Sequence, residues 1–255
     1  MNTPVTDWRG KRVWIIGASS GIGAETAKQL SAQGAKLALS ARRKTLLEQV
    51  AASCHDALVL EADITDNATL QQANAELLAQ WGGYDLVLIV SGTYHPMRAE
   101  TFDLQAAQQT IDVNLKGVYQ VLDNVLPVFL KQQSGGIGVV GSVAGLSGLP
   151  DALAYGPSKA ALINLCESLY FDLHAKGVAV YMINPGFVDT PMTSVNKFTM
   201  PALMTPPQAA TALIRGIMNG EFHIHFPRRF TNWLRFARLL PYRGYFYLIH
   251  KFTGL

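Results

Sequence analysis

The chain has 255 residues, 49% of them hydrophobic, which is enough for a sizeable core in one or two domains. Its two cysteines, Cys54 and Cys166, lie far apart, so neither a disulfide framework nor a cysteine-rich metal site is indicated. No apolar run is long enough for a transmembrane helix, and the N-terminus lacks the apolar stretch of a signal peptide. We therefore expect a cytoplasmic protein.

The net charge of +3 is unevenly distributed. Residues 222–255 hold six basic residues, no acidic residue and ten of the 24 aromatic residues, whereas the first 221 residues hold 15 basic and 18 acidic ones. The acidic body carries no nucleic-acid recognition motif, so we expect no binding to nucleic acid. We divide the chain into a main domain at 1–227 and a basic, aromatic extension at 228–255.

Short β-rich runs alternate with longer helical patterns along the chain. Strands are predicted at 12–16, 36–40, 57–60, 86–90, 136–141, 178–184 and, less regularly, 222–226. Helices are predicted around 22–33, 43–53, 67–81, 105–131, 152–176 and 207–219. Several strands are almost entirely apolar, as in a parallel sheet covered by helices on both faces. This alternation predicts a doubly wound α/β fold.

A glycine-rich turn, GASSGIG at 17–23, directly follows the first predicted strand and opens the first helix. Glycines at this position allow a tight turn, and they let backbone N–H groups approach a pyrophosphate at the positive end of the helix. The spacing is G-x-x-x-G-x-G. We interpret the turn as a nucleotide-binding site, although any strand–helix turn can use glycine.

The end of the second strand predicts which nucleotide binds. An acidic residue there suits the ribose 2′-hydroxyl of NAD, whereas arginine suits a 2′-phosphate. The sequence reads Ser40-Ala41-Arg42-Arg43-Lys44, with no acid, so we expect NADP(H) in preference to NAD(H). After the third strand, Asp63 either caps the following helix or contacts the adenine base.

Tyr155 and Lys159 lie four residues apart at the head of a predicted helix, a spacing that alone suggests a solvent-facing pair. Ser142 ends the fifth strand, and Asn114 lies within a predicted helix. Together with the glycine turn, and in this order, these motifs resemble the short-chain dehydrogenase/reductase family over about residues 9–220. The resemblance implies a single-domain Rossmann fold with seven parallel strands, hydride transfer between NAD(P) and a carbonyl/alcohol pair, and a homodimer or homotetramer.

The resemblance also assigns catalytic roles. Tyr155 is the acid/base, and Lys159 both lowers the pKa of Tyr155 and binds the nicotinamide ribose. Ser142 polarises the substrate carbonyl, and Asn114 shapes its helix and anchors a water in a proton relay. The energies involved are of similar size. Lowering the pKa of a tyrosine from about 10 to about 7 takes about 4 kcal/mol. One ammonium at about 4 Å supplies an energy of that order.

The cofactor contacts implied by the turn, the basic pair and the family's loop after the sixth strand form one set. They are Gly17, Ser19, Ser20, Gly21, Ile22, Gly23, Arg42, Arg43, Asp63, Ile64, Gly92, Tyr155, Lys159, Pro185, Gly186, Val188 and Thr190. Val188 and Thr190 would hold the carboxamide. The sequence departs from the family in two places: Ile-Val-Ser-Gly at 89–92 replaces Asn-Asn-Ala-Gly, and Ile16 replaces threonine. Both departures predict weaker local bracing.

Residues 191–207 fall where the family carries its substrate lid. They include Met192, Phe198, Met200, Leu203 and Met204, which indicates an apolar substrate unless the lid only packs on its own core. His223 and His225 alternate in the last strand, and without a third ligand we expect no metal site there.

The extension carries an i, i+3, i+4, i+7 apolar stripe formed by Phe230, Trp233, Leu234, Ala237 and Leu240. Arg228, Arg235 and Arg238 lie largely opposite. A basic amphipathic helix of this kind lies on an anionic membrane surface, or packs on the body, on a partner subunit or around the substrate entrance.

These patterns predict an NADPH-dependent carbonyl reductase, or an NADP-dependent alcohol dehydrogenase, with an apolar and lipid-like substrate. A 3-oxoacyl reductase of fatty-acid metabolism is the alternative within this class. A non-catalytic NADP-binding sensor or scaffold protein is the alternative of another class.

Overall fold

A computed structural model of the chain describes residues 1–196 and 198–253. Positions 197 and 254–255, which belong to the predicted lid and extension, lie outside the described residues. Seven parallel strands form one sheet in the order β3-β2-β1-β4-β5-β6-β7. They are β1 (Arg12–Ile16), β2 (Lys36–Ala41), β3 (Ala57–Glu61), β4 (Leu86–Ile89), β5 (Gly135–Val140), β6 (Val178–Pro185) and β7 (His223–Phe226). The predicted seven-stranded, doubly wound fold is confirmed.

Helices cover both faces of the sheet. They are α1 (Gly21–Ala32), α2 (Lys44–Ala51), α3 (Asn67–Trp81), α4 (Leu104–Ile111), α5 (Gly117–Gln132), α6 (Tyr155–Leu173) and α7 (Pro206–Met218). Successive residues of a strand face opposite sides. Trp14 therefore joins a core with α3, α5 and α6, while Ile15 joins a second core with α1, α2 and α7.

The strand order reverses between β1 and β4. Ile16, the last residue of β1, pairs with Ser40 on one side and with Ile89 on the other. The turns that follow these three strands consequently meet at one edge of the sheet. In open α/β sheets, ligands bind in the crevice at this reversal point, outside the carboxyl ends of the strands.

Two predicted helices differ from the observed ones. The helix predicted at 105–131 is divided into α4 and α5 by a π turn at Asp112–Lys116, which places an extra residue around Asn114. The helix predicted at 152–176 begins only at Tyr155, since Ala152 instead forms a β-bridge with Met97 in the turn that precedes the helix. Periodicity detects neither feature, since both are local departures from the 3.6-residue repeat.

The extension folds into α8 (Arg228–Ala237) and α9 (Tyr242–Thr253), of which the sequence pattern predicted only the first. The predicted stripe of α8 does face inward, since Leu234 and Ala237 are buried. Helix α9 buries Tyr245 and Ile249 against Ala237 in a small separate core. The stripe therefore packs on the rest of the protein, which was one of the predicted alternatives.

Candidate active site

The glycine turn between β1 and α1 is closely packed. Gly17 has a φ of +98°, and a Cβ there would lie 2.5 Å from the backbone nitrogen of Ser91. A Cβ on Gly23 would overlap the carbonyl oxygen of Gly17. A side chain at position 17 would push the turn away from the end of β4, and one at position 23 would push α1 away from the turn. The two glycines thus keep the start of α1 open to a ligand approaching along the backbone.

Arg42 and Arg43 follow β2 and reach toward the glycine turn. Arg43 Nη2 donates hydrogen bonds to Ser19 Oγ at 3.2 Å and to Ser20 Oγ at 3.4 Å. Arg42 Nε lies 3.8 Å from a carboxylate oxygen of Asp63. Two guanidinium groups, two hydroxyls and the start of α1 therefore surround one end of the cleft. This set of donors fits a phosphate-bearing ligand.

Asp63 does not cap the helix that follows it. Its Oδ1 accepts hydrogen bonds from the backbone N–H of Thr65 at 2.9 Å and from the hydroxyl of Thr65 at 2.8 Å. The N-cap of α3 is Asp66, whose carboxylate accepts from the backbone N–H of Ala68. The capping alternative for Asp63 is thus wrong. The reason is that a turn at 63–66 separates Asp63 from the helix, which begins at Asn67.

Ser142 and Tyr155 lie on two segments that are held in close contact. Ser142 precedes a short 3-10 turn at Val143–Gly145, and its Oγ accepts a hydrogen bond from the backbone N–H of Ala144 at 3.1 Å. A Cβ on Gly145 would lie 2.6 Å from the backbone carbonyl of Lys159 in α6. Glycine at position 145 therefore lets the Ser142 turn pack directly on the helix that carries Tyr155. Sequence patterns gave no sign of its role.

The ring of Tyr155 packs edge-on against Tyr94, with the two ring centres 5.0 Å apart. The hydroxyl of Tyr94 donates a hydrogen bond to the backbone carbonyl of Asp151 at 3.3 Å. Burial raises the pKa of Tyr155, and the hydroxyl of Ser142 opposes part of that rise. The phenol of Tyr155 is consequently protonated at neutral pH.

Lys159 is buried at the first turns of α6. Its Nζ donates a hydrogen bond to the carbonyl oxygen of Val140 at 2.9 Å and lies 5.7 Å from the centre of the Tyr155 ring. Burial lowers the pKa of Lys159 to about 8. The expected lowering of the Tyr155 pKa by Lys159 is not found, because burial has the largest effect on this pKa and only Ser142 opposes it. That expectation counted the attraction between phenolate and ammonium but left out the desolvation of the phenolate.

Asn114 is completely buried and connects two elements of the site. Its Oδ1 accepts from the backbone N–H of Thr93 at 2.8 Å, and its Nδ2 donates to the Thr93 carbonyl at 2.9 Å and to Ser158 Oγ at 3.1 Å. These bonds hold the segment after β4 against α6. They brace the region next to 89–92, where the sequence predicted that side-chain bonds were missing.

The loop after β6 is organised by Thr193, which no sequence motif marks. The hydroxyl of Thr193 donates to the carbonyl of Val188 at 2.6 Å and accepts from the backbone N–H of Thr190 at 3.1 Å. Asp189 N–H donates to the carbonyl of Met204 at 2.9 Å, which ties the loop to the far end of the predicted lid. Thr193 lies inside the predicted lid, and nothing in its spacing distinguishes it from other threonines.

A cleft of about 220 Å³ lies at the carboxyl ends of six strands. Most of the predicted site residues line it: Gly17, Ser19, Ser20, Gly21, Ile22, Arg42, Arg43, Asp63, Ile64, Gly92, Ser142, Tyr155, Lys159, Pro185, Gly186, Val188 and Thr190. Gly23 and Asn114 are set back behind this lining. The glycines that exclude a Cβ, the cations at one end and Lys159 at the other fit a dinucleotide with phosphates near α1.

Comparisons with known proteins identify the family of the chain. The family model described as short chain dehydrogenase matches residues 11–199. The chain is 35% identical over 232 residues to an "uncharacterized oxidoreductase" of Myxococcus xanthus, covering 89% of this chain and 91% of the relative. It is 36% identical over 185 residues to an "uncharacterized oxidoreductase" of Staphylococcus epidermidis, covering 72% and 80%.

Among solved structures, levodione reductase superposes with a TM-score of 0.78, covering 88% of this chain and 99% of that chain. At 21% sequence identity this likeness concerns the fold alone. The match to the family model and the identity to the bacterial relatives reach further, because they extend over most of the chain. The chain belongs to the short-chain dehydrogenase family and is an oxidoreductase of that type.

Proposed function

We propose that the protein is an NADPH-dependent reductase of apolar carbonyl compounds, which acts in reverse as an NADP-dependent alcohol dehydrogenase. The observation that carries the proposal is the grouping of Ser142, Tyr155 and Lys159 at one end of a cleft whose other end holds Arg42 and Arg43. The first group suits proton transfer to an oxygen, and the second suits a 2′-phosphate.

NADPH, when bound, would supply the hydride for the carbonyl carbon. Ser142 would then orient the carbonyl oxygen. Its Oγ already accepts from the Ala144 N–H, so its own proton remains available for donation to the substrate. Tyr155, kept protonated by burial, would donate the phenolic proton to the same oxygen as negative charge develops there.

Lys159 would stabilise the phenolate that this transfer leaves behind. With a pKa of about 8, Lys159 is protonated in most molecules at pH 7. One of its three N–H donors is occupied by the Val140 carbonyl, which leaves two for the nicotinamide ribose and for the phenolate side of Tyr155. The same positive charge thus serves both binding and proton transfer.

The preference for NADP(H) rests on the residues that follow β2. No acidic residue ends this strand, and Arg42 is the first residue beyond it. Arg43 is already directed at the glycine turn through Ser19 and Ser20. A phosphate on the adenosine ribose would therefore meet two cations, whereas the hydroxyl of NAD(H) would lack a carboxylate partner.

The preference for an apolar substrate rests on the lid. Met192 lines the cleft, while Phe198 and Leu203 are each nearly half exposed. Large apolar side chains exposed beside a cleft suit an apolar ligand, since they would be covered when it binds. Met204 instead packs into the core beside α7, so this part of the lid serves its own packing.

A homo-oligomer is proposed on the outer faces of α5 and α6. Phe171 is 82% exposed and Tyr119 is 54% exposed, and both lie on helices whose other side faces the sheet. Exposed aromatic residues on adjoining helices are typical of a subunit interface. Light scattering measures the mass of the wild type and of Phe171→Ser, and we expect an oligomer that the substitution weakens. A monomeric mass for both proteins would contradict this assignment.

The test of the reaction is NADPH oxidation over a panel of aliphatic, aromatic and acyl ketones. We expect turnover by the wild type and a loss of at least about 100-fold in Tyr155→Phe, with NADPH binding retained, because only the proton donor is removed. Tyr170→Phe, which removes a hydroxyl from the same helix outside the cleft, is the matched control. Tight NADPH binding without turnover of any carbonyl would overturn the reductase and would favour a sensor.

A further inference from the structure

The extension exposes an unusual number of large apolar side chains, which we call the C-terminal face. Its members are Phe236, Leu239, Tyr242, Phe246, Tyr247 and Phe252. Each of them is at least 61% exposed, although they come from a stretch of only 17 residues. Single exposed apolar residues are ordinary, but a cluster of this kind marks a surface that contacts something else.

Apart from Phe252, which packs edge-on against Trp233 of α8 with ring centres 4.7 Å apart, these side chains are not the ones that hold the extension in place. The inward sides of α8 and α9 are formed by other residues, among them Leu234, Tyr245 and Ile249, which are buried. The hydroxyl of Tyr245 also donates a hydrogen bond to the carbonyl of Gly148 at 2.6 Å. The two helices therefore pack on the body through one set of side chains, while the C-terminal face stays largely exposed.

Cations are interspersed with the exposed aromatics. Arg229, Arg235, Arg238, Arg243 and Lys251 are all exposed, and none forms an ion pair with a described residue. Residues 222–255 contain no acid, and Arg228 pairs with Glu221, just outside this segment. The face is therefore positive throughout.

We propose that α8 and α9 dock on the surface of an anionic lipid bilayer, with the C-terminal face lying in the headgroup region. Aromatic side chains prefer the membrane interface, and exposed arginines and lysines are attracted to anionic headgroups. Within the described ranges no helix has the length and apolar character to cross a bilayer, so the contact is peripheral. A second copy of the chain is a poorer occupant, because two such faces would bring like charges together.

Helix α8 contacts the loop beside the cleft through its inward stripe. Phe187, in the loop after β6, packs against Phe198 of the lid with ring centres 5.6 Å apart and against Phe230 of α8 at 5.8 Å. Docking would thus hold the lid next to the lipid phase. This consequence rests on the proposed reduction of apolar carbonyls, whereas binding to the bilayer itself does not.

Co-sedimentation of the full chain with vesicles tests the proposal without any need for activity. Wild-type protein should pellet with phosphatidylcholine vesicles that contain phosphatidylglycerol, and binding should weaken as salt is raised. Replacing three cations in Arg238→Gln/Arg243→Gln/Lys251→Gln should lower the partition coefficient on the order of 100-fold. Leu239→Ser/Phe246→Ser/Tyr247→Ser should lower binding to the same vesicles while leaving the net charge unchanged.

Matched controls separate the face from general charge and hydrophobicity. Lys11→Gln/Lys131→Gln/Lys176→Gln removes three exposed cations elsewhere, and Phe102→Ser/Leu104→Ser removes two exposed apolar residues elsewhere. Both controls should bind like the wild type, and circular dichroism checks that every variant is folded. The proposal is overturned if wild-type protein does not bind anionic vesicles, or if the controls lose as much binding as the variants of the C-terminal face. An oligomer that dissociates in the Leu239/Phe246/Tyr247 variant, without vesicle binding by the wild type, would assign the face to a second copy instead.

Discussion

The ring of Tyr94 lies edge-on to the ring of Tyr155, with ring centres 5.0 Å apart, and its hydroxyl is anchored on the carbonyl of Asp151. Edge-to-face aromatic pairs are worth about 0.5–1.5 kcal/mol beyond the area that they bury. Tyr94 comes from the segment after β4 and Tyr155 from the head of α6, so the contact joins two separate parts of the site. We infer that Tyr94 positions the phenol of Tyr155.

Substitution of Tyr94 tests this positioning role. Tyr94→Ala should lower kcat for carbonyl reduction about tenfold, since the Tyr155 ring loses its only edge-on aromatic neighbour among the described residues. Tyr94→Phe keeps the ring and should retain most of the activity. Steady-state kinetics, with NADPH binding as a second measurement, distinguish the two. Equal losses in both variants would assign the effect to the hydroxyl rather than to the ring.

The pKa of Lys159 predicts the pH dependence of the reaction. As pH rises through about 8, Lys159 loses the proton that its proposed role requires, so kcat/KM for reduction should fall about tenfold per pH unit above that value. Below this pH the lysine is charged, and kcat/KM should not change with pH. Burial raises the pKa of Tyr155, so the phenol is not expected to titrate first.

Lys159→Arg provides the corresponding control. Arginine keeps its charge over the whole range, so the alkaline limb near pH 8 should disappear even though overall activity is lower. The pH profiles of kcat/KM for the two proteins, measured with the same ketone, decide the matter. A limb that stays near pH 8 in Lys159→Arg would show that another group is titrating.

The sequence was sufficient to predict elements with strong periodicity and motifs with fixed spacing. All seven strands fall within about a residue or two of their predicted positions, because apolar strands between glycine-rich turns leave few alternatives. The cleft residues were predicted from the order of motifs along the chain. Gly145, Tyr94 and Thr193 were missed, since each acts on a residue distant in sequence or hidden in a loop. Helix α9 was missed because large apolar residues occur all around it, so no single apolar stripe marks its inward side.

Gly145 is predicted to control the distance between Ser142 and α6. A Cβ there would lie 2.6 Å from both the carbonyl carbon and oxygen of Lys159 and 2.8 Å from the nitrogen of Ala160, all backbone atoms with little freedom to move. Gly145→Ala should therefore destabilise the protein by about 1–3 kcal/mol and lower kcat by moving Ser142 away from Tyr155.

Gly148→Ala is the matched control for this prediction. Gly148 lies three residues later in the same segment, and a Cβ there would meet nothing within 4 Å. Thermal unfolding and steady-state kinetics should therefore be close to those of the wild type. If Gly148→Ala and Gly145→Ala behave alike, the close approach to α6 has no bearing on activity.

Arg42 and Arg43 should differ in how they affect the two cofactors. Within the part of the chain that the structure describes, the one ion pair of Arg42 is with Asp63, at 3.8 Å, so Arg42→Ala should weaken NADPH binding about 10–100-fold while leaving NADH binding nearly unchanged. Arg43 is also bonded to Ser19 and Ser20 in the glycine turn, so Arg43→Ala should weaken NADPH more strongly and NADH slightly. Titration of cofactor fluorescence gives both dissociation constants, with Lys176→Ala as a distant control. Equal losses for NADPH and NADH in Arg42→Ala would contradict recognition of a 2′-phosphate. A cation that binds this group should not affect the binding of NADH, which lacks it.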